Sequence, residues 1–349
     1  MLPYFRIKRI GDVMTIRYAT IGMGWITESF IKGTELSDGK LKLEAVYSRS
    51  AEKGSEFAKK FGCDKVYVSL DELAADKTID AVYIASPNAF HYSQSKAMLI
   101  AGKHVICEKP ITVTSAELIE LNKLAESKGL VYLEALMAMH LPYRNAIKEA
   151  ILSLGRISHA RFDFSQRSSK YDSFKNGNHQ NIFDPKMAAG ALMDLGVYCV
   201  YPCIDLFGEP KEISSWCTRL RTGIDGEGGA TFRYDGLSVT LTYSKTGQSA
   251  LGSEIIGDNG TLVIPSISKL CDARVIYTDK TEKTITDSLE KHELMSCEAL
   301  DFYRYITEPD RLKAQYENDR HIALSVCRTM ETIRKQIGLG FNAKEDKNE

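Results

Sequence analysis

Four short groups in this chain place reactive side chains where a fold could bring them to a ligand. The first is Glu108-Lys109-Pro110, two opposite charges and a proline closing the apolar run His104 to Cys107, itself preceded by Ala101-Gly102-Lys103. In an open parallel sheet, ligands bind outside the carboxyl ends of the strands, so a lysine there can point at a bound molecule. The competing reading is a loop charge in water. The second group is Asp194 and Tyr198, four apart in an apolar stretch that reads as a helix from about Ala191 through Phe207 and would carry both on one face. So apolar a helix has little reason to carry an acid without a partner, although a partly exposed acid beside a core aromatic fits the pattern too.

The third group, Gly22-Met23-Gly24-Trp25-Ile26-Thr27, follows the β-rich run Ile16 to Ile21 and opens a helix predicted to reach about Lys32. Gly22 permits a tight turn, and Gly24 lets the backbone approach a pyrophosphate seated on the first N–H groups of the helix, at Trp25 and Ile26. Thr27 replaces the third glycine, so the fingerprint is incomplete and a glycine turn without a ligand is the alternative. The fourth group, Ser48-Arg49-Ser50, ends the next strand, Leu41 to Tyr47. An acid there would bind a ribose 2′-hydroxyl, whereas an arginine accommodates a 2′-phosphate, with serine hydroxyls adding hydrogen bonds. This favours NADP, with NAD as the alternative; Ser50 also caps the helix predicted over Ala51 to Phe61.

These groups need a frame, and the first half supplies one. Strands are predicted at Lys65 to Val68, Ala81 to Ala85 and Leu130 to Glu134, with helices opened by Ser69-x-x-Glu72 and Thr114-x-x-Glu117. Ser86-Pro87-Asn88 ends one strand, and His91 lies one turn into the helix after it. Strand–helix alternation predicts an α/β fold, a doubly wound parallel Rossmann sheet over residues 14–137.

From residue 138 the pattern changes. Tyr143 to Leu154 reads as an amphipathic helix, and Ser158 to Ser165 and Leu237 to Ser244 alternate as half-buried strands. Asp235-Gly236 and Asn259-Gly260 are hairpin turns. Residues 138–349 are therefore expected to form an α+β domain with an open, mainly antiparallel sheet, one face covered by helices and the other solvated or paired with a second subunit. A closing helix is predicted over Gln315 to Ile337. Gln166 to Lys186 reads as a long polar loop, with Tyr171, Asn181 and Phe183 as candidates to line a substrate pocket.

Composition excludes several classes. At 349 residues the chain suits two domains, and 44% hydrophobic residues, 26% charged and a net charge of −1 describe an ordinary globular protein with no electrostatic footprint for nucleic acid. No run of roughly 18 apolar residues suggests a membrane span. The eight cysteines form no Cys-x-x-Cys pair and the seven histidines are dispersed, so no metal is expected and reduced thiols in a cytoplasmic setting are the simpler reading. Met1 to Val13 lacks the apolar core of a signal peptide and is expected to be a poorly ordered extension, with Met14 the natural start.

Together, Gly22-x-Gly24, Ser86-Pro87-Asn88-x-x-His91, Ala101 to Pro110, Glu134-Ala135-Leu136-Met137 and Gly190 to Tyr198 resemble the glucose–fructose oxidoreductase / inositol dehydrogenase (Gfo/Idh/MocA) family. The resemblance runs from Met14 onward. Tyr198, where many members have histidine, is similar to the branch with dimeric dihydrodiol dehydrogenase and D-xylose 1-dehydrogenase. It implies a hydride-transferring enzyme acting on a sugar, polyol or trans-dihydrodiol, with Tyr198 as acid/base, Lys109 as catalytic lysine and Asp194 beside them. It also implies Glu108 and Pro110 near the cofactor, and a homodimer or homotetramer formed through the C-terminal sheet. A lysine cation should pull the tyrosine from its ordinary value near ~10 towards phenolate. Two departures, Ala188-Ala189-Gly190 for three glycines and Asn181-Ile182-Phe183 for Asn-x-Arg, bear on the substrate side. A non-catalytic nucleotide and sugar sensor on the same fold is the rival expectation.

Overall fold

The computed structural model describes residues 14–178 and 180–341, so the expected extension at 1–13 lies outside them. Strands β1 (Ile16–Ile21), β2 (Leu41–Tyr47), β3 (Val66–Tyr67), β4 (Ala81–Ile84), β5 (His104–Glu108) and β6 (Tyr132–Ala135) form one sheet, ordered β3-β2-β1-β4-β5-β6. Every neighbouring pair is parallel. Helices α1 (Trp25–Glu35), α2 (Ala51–Lys59), α3 (Leu70–Ala75), α4 (His91–Ile100) and α5 (Ser115–Ser127) connect the strands. Sandwiching by helices explains the unbroken apolar run of β4, whose four residues are fully buried. The strand order reverses between β1 and β4, the switch point where such sheets bind ligands. The Thr114–Glu117 capping box forms in full, whereas Ser69 alone caps α3.

After the short α6 (Met137–His140) comes α7 (Tyr143–Ser153), then β7 (Ile157–Ser165), α8 (Tyr171–Lys175) and α9 (Val197–Phe207). Strands β8 (Glu212–Arg219), β9 (Asp225–Tyr234), β10 (Leu237–Ser244), β11 (Ser253–Gly257), β12 (Gly260–Ile264), β13 (Arg274–Tyr277) and β14 (Glu282–Thr284) complete a second sheet with β7, ordered β14-β13-β12-β11-β7-β10-β9-β8. It is antiparallel except for β7 beside β10. Phe162, Phe232, Val239, Leu241 and Leu262 point into the core under the helices. The opposite face carries Trp216, half-exposed.

The segment 166–186 departs from a plain loop. It holds α8 and two 3-10 turns, Asn181–Phe183 and Pro185–Met187, around a small core of Phe174, Phe183 and Ile224. The closing helix α11 (Pro309–Gln336) begins earlier than expected, and α10 (Lys291–Thr307), which packs along α1, had no counterpart in the sequence reading. Glu331 of α11 accepts from the N–H and hydroxyl of Ser115, and Tyr316 bonds the N–H of Tyr132, tying the chain end to the parallel sheet. The 23-residue stretch Pro185–Phe207 is apolar and long enough to cross a bilayer by length and composition alone. Of its most apolar window 78% is buried inside the fold, as for a core helix.

Candidate active site

A single π turn, Leu192–Gly196, precedes α9 where a regular helix was expected. Such a turn disturbs the ordinary carbonyl pairing of a helix and tends to occur at functional sites. Lys109, just beyond β5, reaches it. Its Nζ donates to the Asp194 carbonyl and to Asp194 Oδ1, each at 2.9 Å. Asp225, the first residue of β9, holds the start of the turn: its Oδ2 accepts from the Leu192 N–H at 2.6 Å. Gly190 sits so close that a Cβ there would lie 2.1 Å from Asp225 Oδ1, at φ +139°, so only glycine fits.

Tyr198 lies one turn past Asp194, edge-on to Phe164 with centroids 5.2 Å apart, and Lys109 Nζ stands 5.0 Å from its ring centroid. Burial raises the Tyr198 pKa; Lys109 opposes this, but Glu108, Asp194 and Glu298 add to it, and the net direction is upward. The expected lowering by Lys109 is present and is outweighed. The phenol therefore keeps its proton at neutral pH. Burial disfavours the Lys109 charge, yet Asp194, Tyr198 and Glu108 together raise its pKa, so it stays cationic. Burial likewise opposes ionisation of Asp194, whose pKa is nonetheless lowered by Lys109 and Lys245.

The glycine turn fits a dinucleotide. Gly22 has φ +113°, and a Cβ there would lie 2.5 Å from the Ala85 carbonyl, so the turn hugs the end of β4. Gly24 starts α1 in extended conformation with no side-chain cap, which leaves the first helical amides available to an anion. A cleft of about 330 Å³ runs from Trp25 and Ile26 past Ser86, Pro87, Asn88 and His91 to Glu108, Lys109, Asp194 and Tyr198. A second cavity of about 590 Å³ shares Trp25, Lys109, Asp194 and Tyr198 and continues over Asp163, Gln166, Gln248, Ser249, Ser266 and Ser268.

Several sequence candidates have supporting positions. His91 is fully buried, its ring nitrogens 2.9 Å from the carbonyls of Ser86 and Pro110, so it joins two strand ends. Asn88 Nδ2 donates to the Ala188 carbonyl at 2.9 Å, and Ser86 Oγ to Gln94 at 2.7 Å. Glu108 accepts from the Tyr83 hydroxyl at 2.7 Å. Beyond β2, Ser48 is buried and Oγ accepts from the Ser50 N–H, while Ser50 caps α2. Arg49 is exposed and makes no ion pair among the described residues. Asn181 lines the cleft. Phe183 is fully buried against Phe174, and Tyr171 stacks on that same small core; neither lines the two cavities.

Sequence reasoning missed Lys245, Asp225, Lys291 and Glu298. Lys245 and Glu298 are 2% and 1% exposed, and a charged residue closing the alternating run of β10 was the one local signal. Lys291 packs its ammonium 5.8 Å from the Trp25 ring centroid.

Residues 16–136 match the oxidoreductase family GFO_IDH_MocA with its NAD-binding Rossmann fold, and residues 145–263 match the GFO/IDH/MocA C-terminal domain. The chain is 38% identical over 331 residues to scyllo-inositol 2-dehydrogenase (NADP(+)) of Bacillus subtilis, covering 95% of this chain and 99% of that protein. It is 31% identical over 254 residues to trans-1,2-dihydrobenzene-1,2-diol dehydrogenase of Homo sapiens, covering 71% and 73%. The crystal structure of a 3-ketoreductase from Actinomadura kijaniata superimposes with a TM-score of 0.80 at 20% identity, covering 93% and 98%, which shows the shared fold. The chain belongs to the Gfo/Idh/MocA oxidoreductase family, whose members among these relatives act on inositols and dihydrodiols.

Glu298 provides a pH test of this buried charge cluster. Neither of its oxygens has a hydrogen-bond partner among the described residues, and burial, then Glu108, pushes it from 4.5 up to about 8. A carboxyl that holds its proton more tightly when folded contributes stability that is full below pH 4.5 and is lost as pH rises through about 8. Stability in urea should fall across that window by up to about 1.4 kcal/mol per pH unit. Glu298→Gln should flatten the fall; parallel curves for the two proteins would contradict it.

Proposed function

We propose that the protein is an NADP-preferring dehydrogenase/reductase of a polyol, with a cyclic polyol of the inositol type as the substrate class. The observation that carries this reading is the convergence of Lys109, Asp194 and Tyr198 on the wall shared by two cavities, one leading to the glycine turn and one lined by hydroxyl and amide groups. A bound nicotinamide supplies or accepts the hydride at C4. Tyr198 gives its proton to the substrate oxygen in reduction and takes the hydroxyl proton in oxidation. Lys109, held by Asp194, orients that oxygen and stabilises negative charge on it and on the phenolate. The raised phenol pKa suits the donor role, and positive charge brought into the cleft favours loss of the proton.

The polar lining of the larger cavity, with Asp163, Gln166, Gln248, Ser249, Ser266 and Ser268, offers hydrogen bonds to several hydroxyls at once. NADP preference is supported by exposed Arg49 at the end of β2 and by the NADP(+)-dependent relative from Bacillus subtilis. Tyr198→Phe should lose ~10²–10⁴ of turnover with scyllo-inositol while keeping its affinity for NADPH. Wild-type turnover in that variant would remove Tyr198 from the chemistry, and NADPH binding without absorbance change across a broad polyol panel would instead indicate a sensor. Arg49→Ala should weaken NADP binding by roughly 1–3 kcal/mol and spare NAD, as expected for a charge-assisted phosphate contact. Equal NADP affinity in titration calorimetry would defeat the cofactor assignment.

A further inference from the structure

We infer that Lys245 is a positioning residue for this reaction: it occupies one oxygen of Asp194, so that the positive charge of Lys109 is left for Tyr198 and the reacting oxygen. This rests on the oxidoreductase reading above. Lys245 follows the last residue of β10, and its side chain is 2% exposed. Its Nζ stands 2.8 Å from Asp194 Oδ2, while Lys109 Nζ stands 2.9 Å from Oδ1, so one carboxylate is held between two ammonium groups. The backbone under Lys245 is fixed on both sides, its N–H donating to Gly226 at 2.8 Å and its carbonyl accepting from Ser168 at 2.9 Å. A further bond from Nζ to the Ile182 carbonyl at 3.1 Å leaves the ammonium no freedom to swing away.

Charge accounting gives this arrangement its consequence. Lys109 and Asp194 alone sum to zero, and a neutral pair does little for a developing phenolate. With Lys245 the three groups sum to +1. The titratable groups acting on Tyr198 are Lys109, which favours the phenolate, and Glu108, Asp194 and Glu298, which oppose it, while Lys245 and Lys291 line the cavities that Tyr198 shares. Lys245 itself faces Asp194 and Asp225. A lysine this enclosed loses its hydration, a cost that an apolar side chain filling the same space beside the Phe183 ring would avoid. A residue serving only to pack would not need the charge.

The test compares Lys245→Met and Lys245→Arg with wild type in NADP-dependent oxidation of scyllo-inositol as a function of pH. Removing the cation disfavours the phenolate, so in Lys245→Met the acid limb of kcat should move up by about one pH unit. Turnover on that limb should fall about ten-fold, with the KM for NADP unchanged. Lys245→Arg should restore the limb. A second readout needs no turnover: tyrosinate absorbance of the cofactor-free protein, with Tyr198→Phe as the blank, should show Tyr198 ionising at higher pH in Lys245→Met. Should that variant not fold, Lys245→Gln carries the same expectation. An unmoved limb and an unmoved tyrosinate titration would overturn the inference. Absence of wild-type turnover would count against the functional reading alone, and the titration would still decide the role of Lys245.

Discussion

Lys109 leaves the carboxyl end of a parallel strand and closes on Asp194 through two 2.9 Å bonds, one to a side-chain oxygen and one to a backbone carbonyl. That carbonyl lies in the π turn, where the regular pairing of a helix is disturbed. The turn in turn depends on Asp225 from the second sheet, seated against Gly190, and on Lys245 from the neighbouring strand. One ion pair thus joins the switch point of the first sheet to the helix carrying Tyr198. The short strands around it are the scaffold for that junction.

Electrostatics in the cleft follow from burial more than from any single pair. The Tyr198 ring has a cation at 5.0 Å, yet desolvation and three carboxyl groups keep its proton on. Beneath it, burial lifts Glu134 to about 7, although Tyr201 and the Ile111 N–H both bond to it. Burial also raises the buried Glu108 despite Lys109 beside it. Such a site holds protons readily, and the balance between phenol and phenolate is set by how much positive charge reaches the ring.

The frame was legible because its signals are local. Strands Ile16–Ile21 and Leu41–Tyr47, the Thr114–Glu117 box and the Asp235-Gly236 hairpin all have the bounds or bonds that residue spacing implies. The glycine turn and the Glu108-Lys109-Pro110 strand end were visible for the same reason. What escaped depends on contacts between distant segments. Lys245 meets Asp194 from 51 positions away by subtraction of their numbers, and nothing near either residue encodes that meeting. The π turn is invisible to a 3.6-residue period, and the groups that bond to it, Lys109 and Asp225, come from distant segments. Phe183, a candidate for the pocket from its place in a polar segment, packs in a small core with Phe174 and Ile224 that no local period marks. Helix α10 went unread because its buried charges, Glu298 and Asp301, break the apolar stripe that marks a core helix.

The measurement that tests the junction most directly is a double-mutant cycle on kcat/KM with Lys109→Met, Asp194→Asn and the pair. If Lys109 and Asp194 act as one unit, each single variant should lose nearly as much as the double, a coupling of roughly 1–3 kcal/mol. Losses that simply add, within about 0.5 kcal/mol, would mean the two residues act independently and would contradict the account.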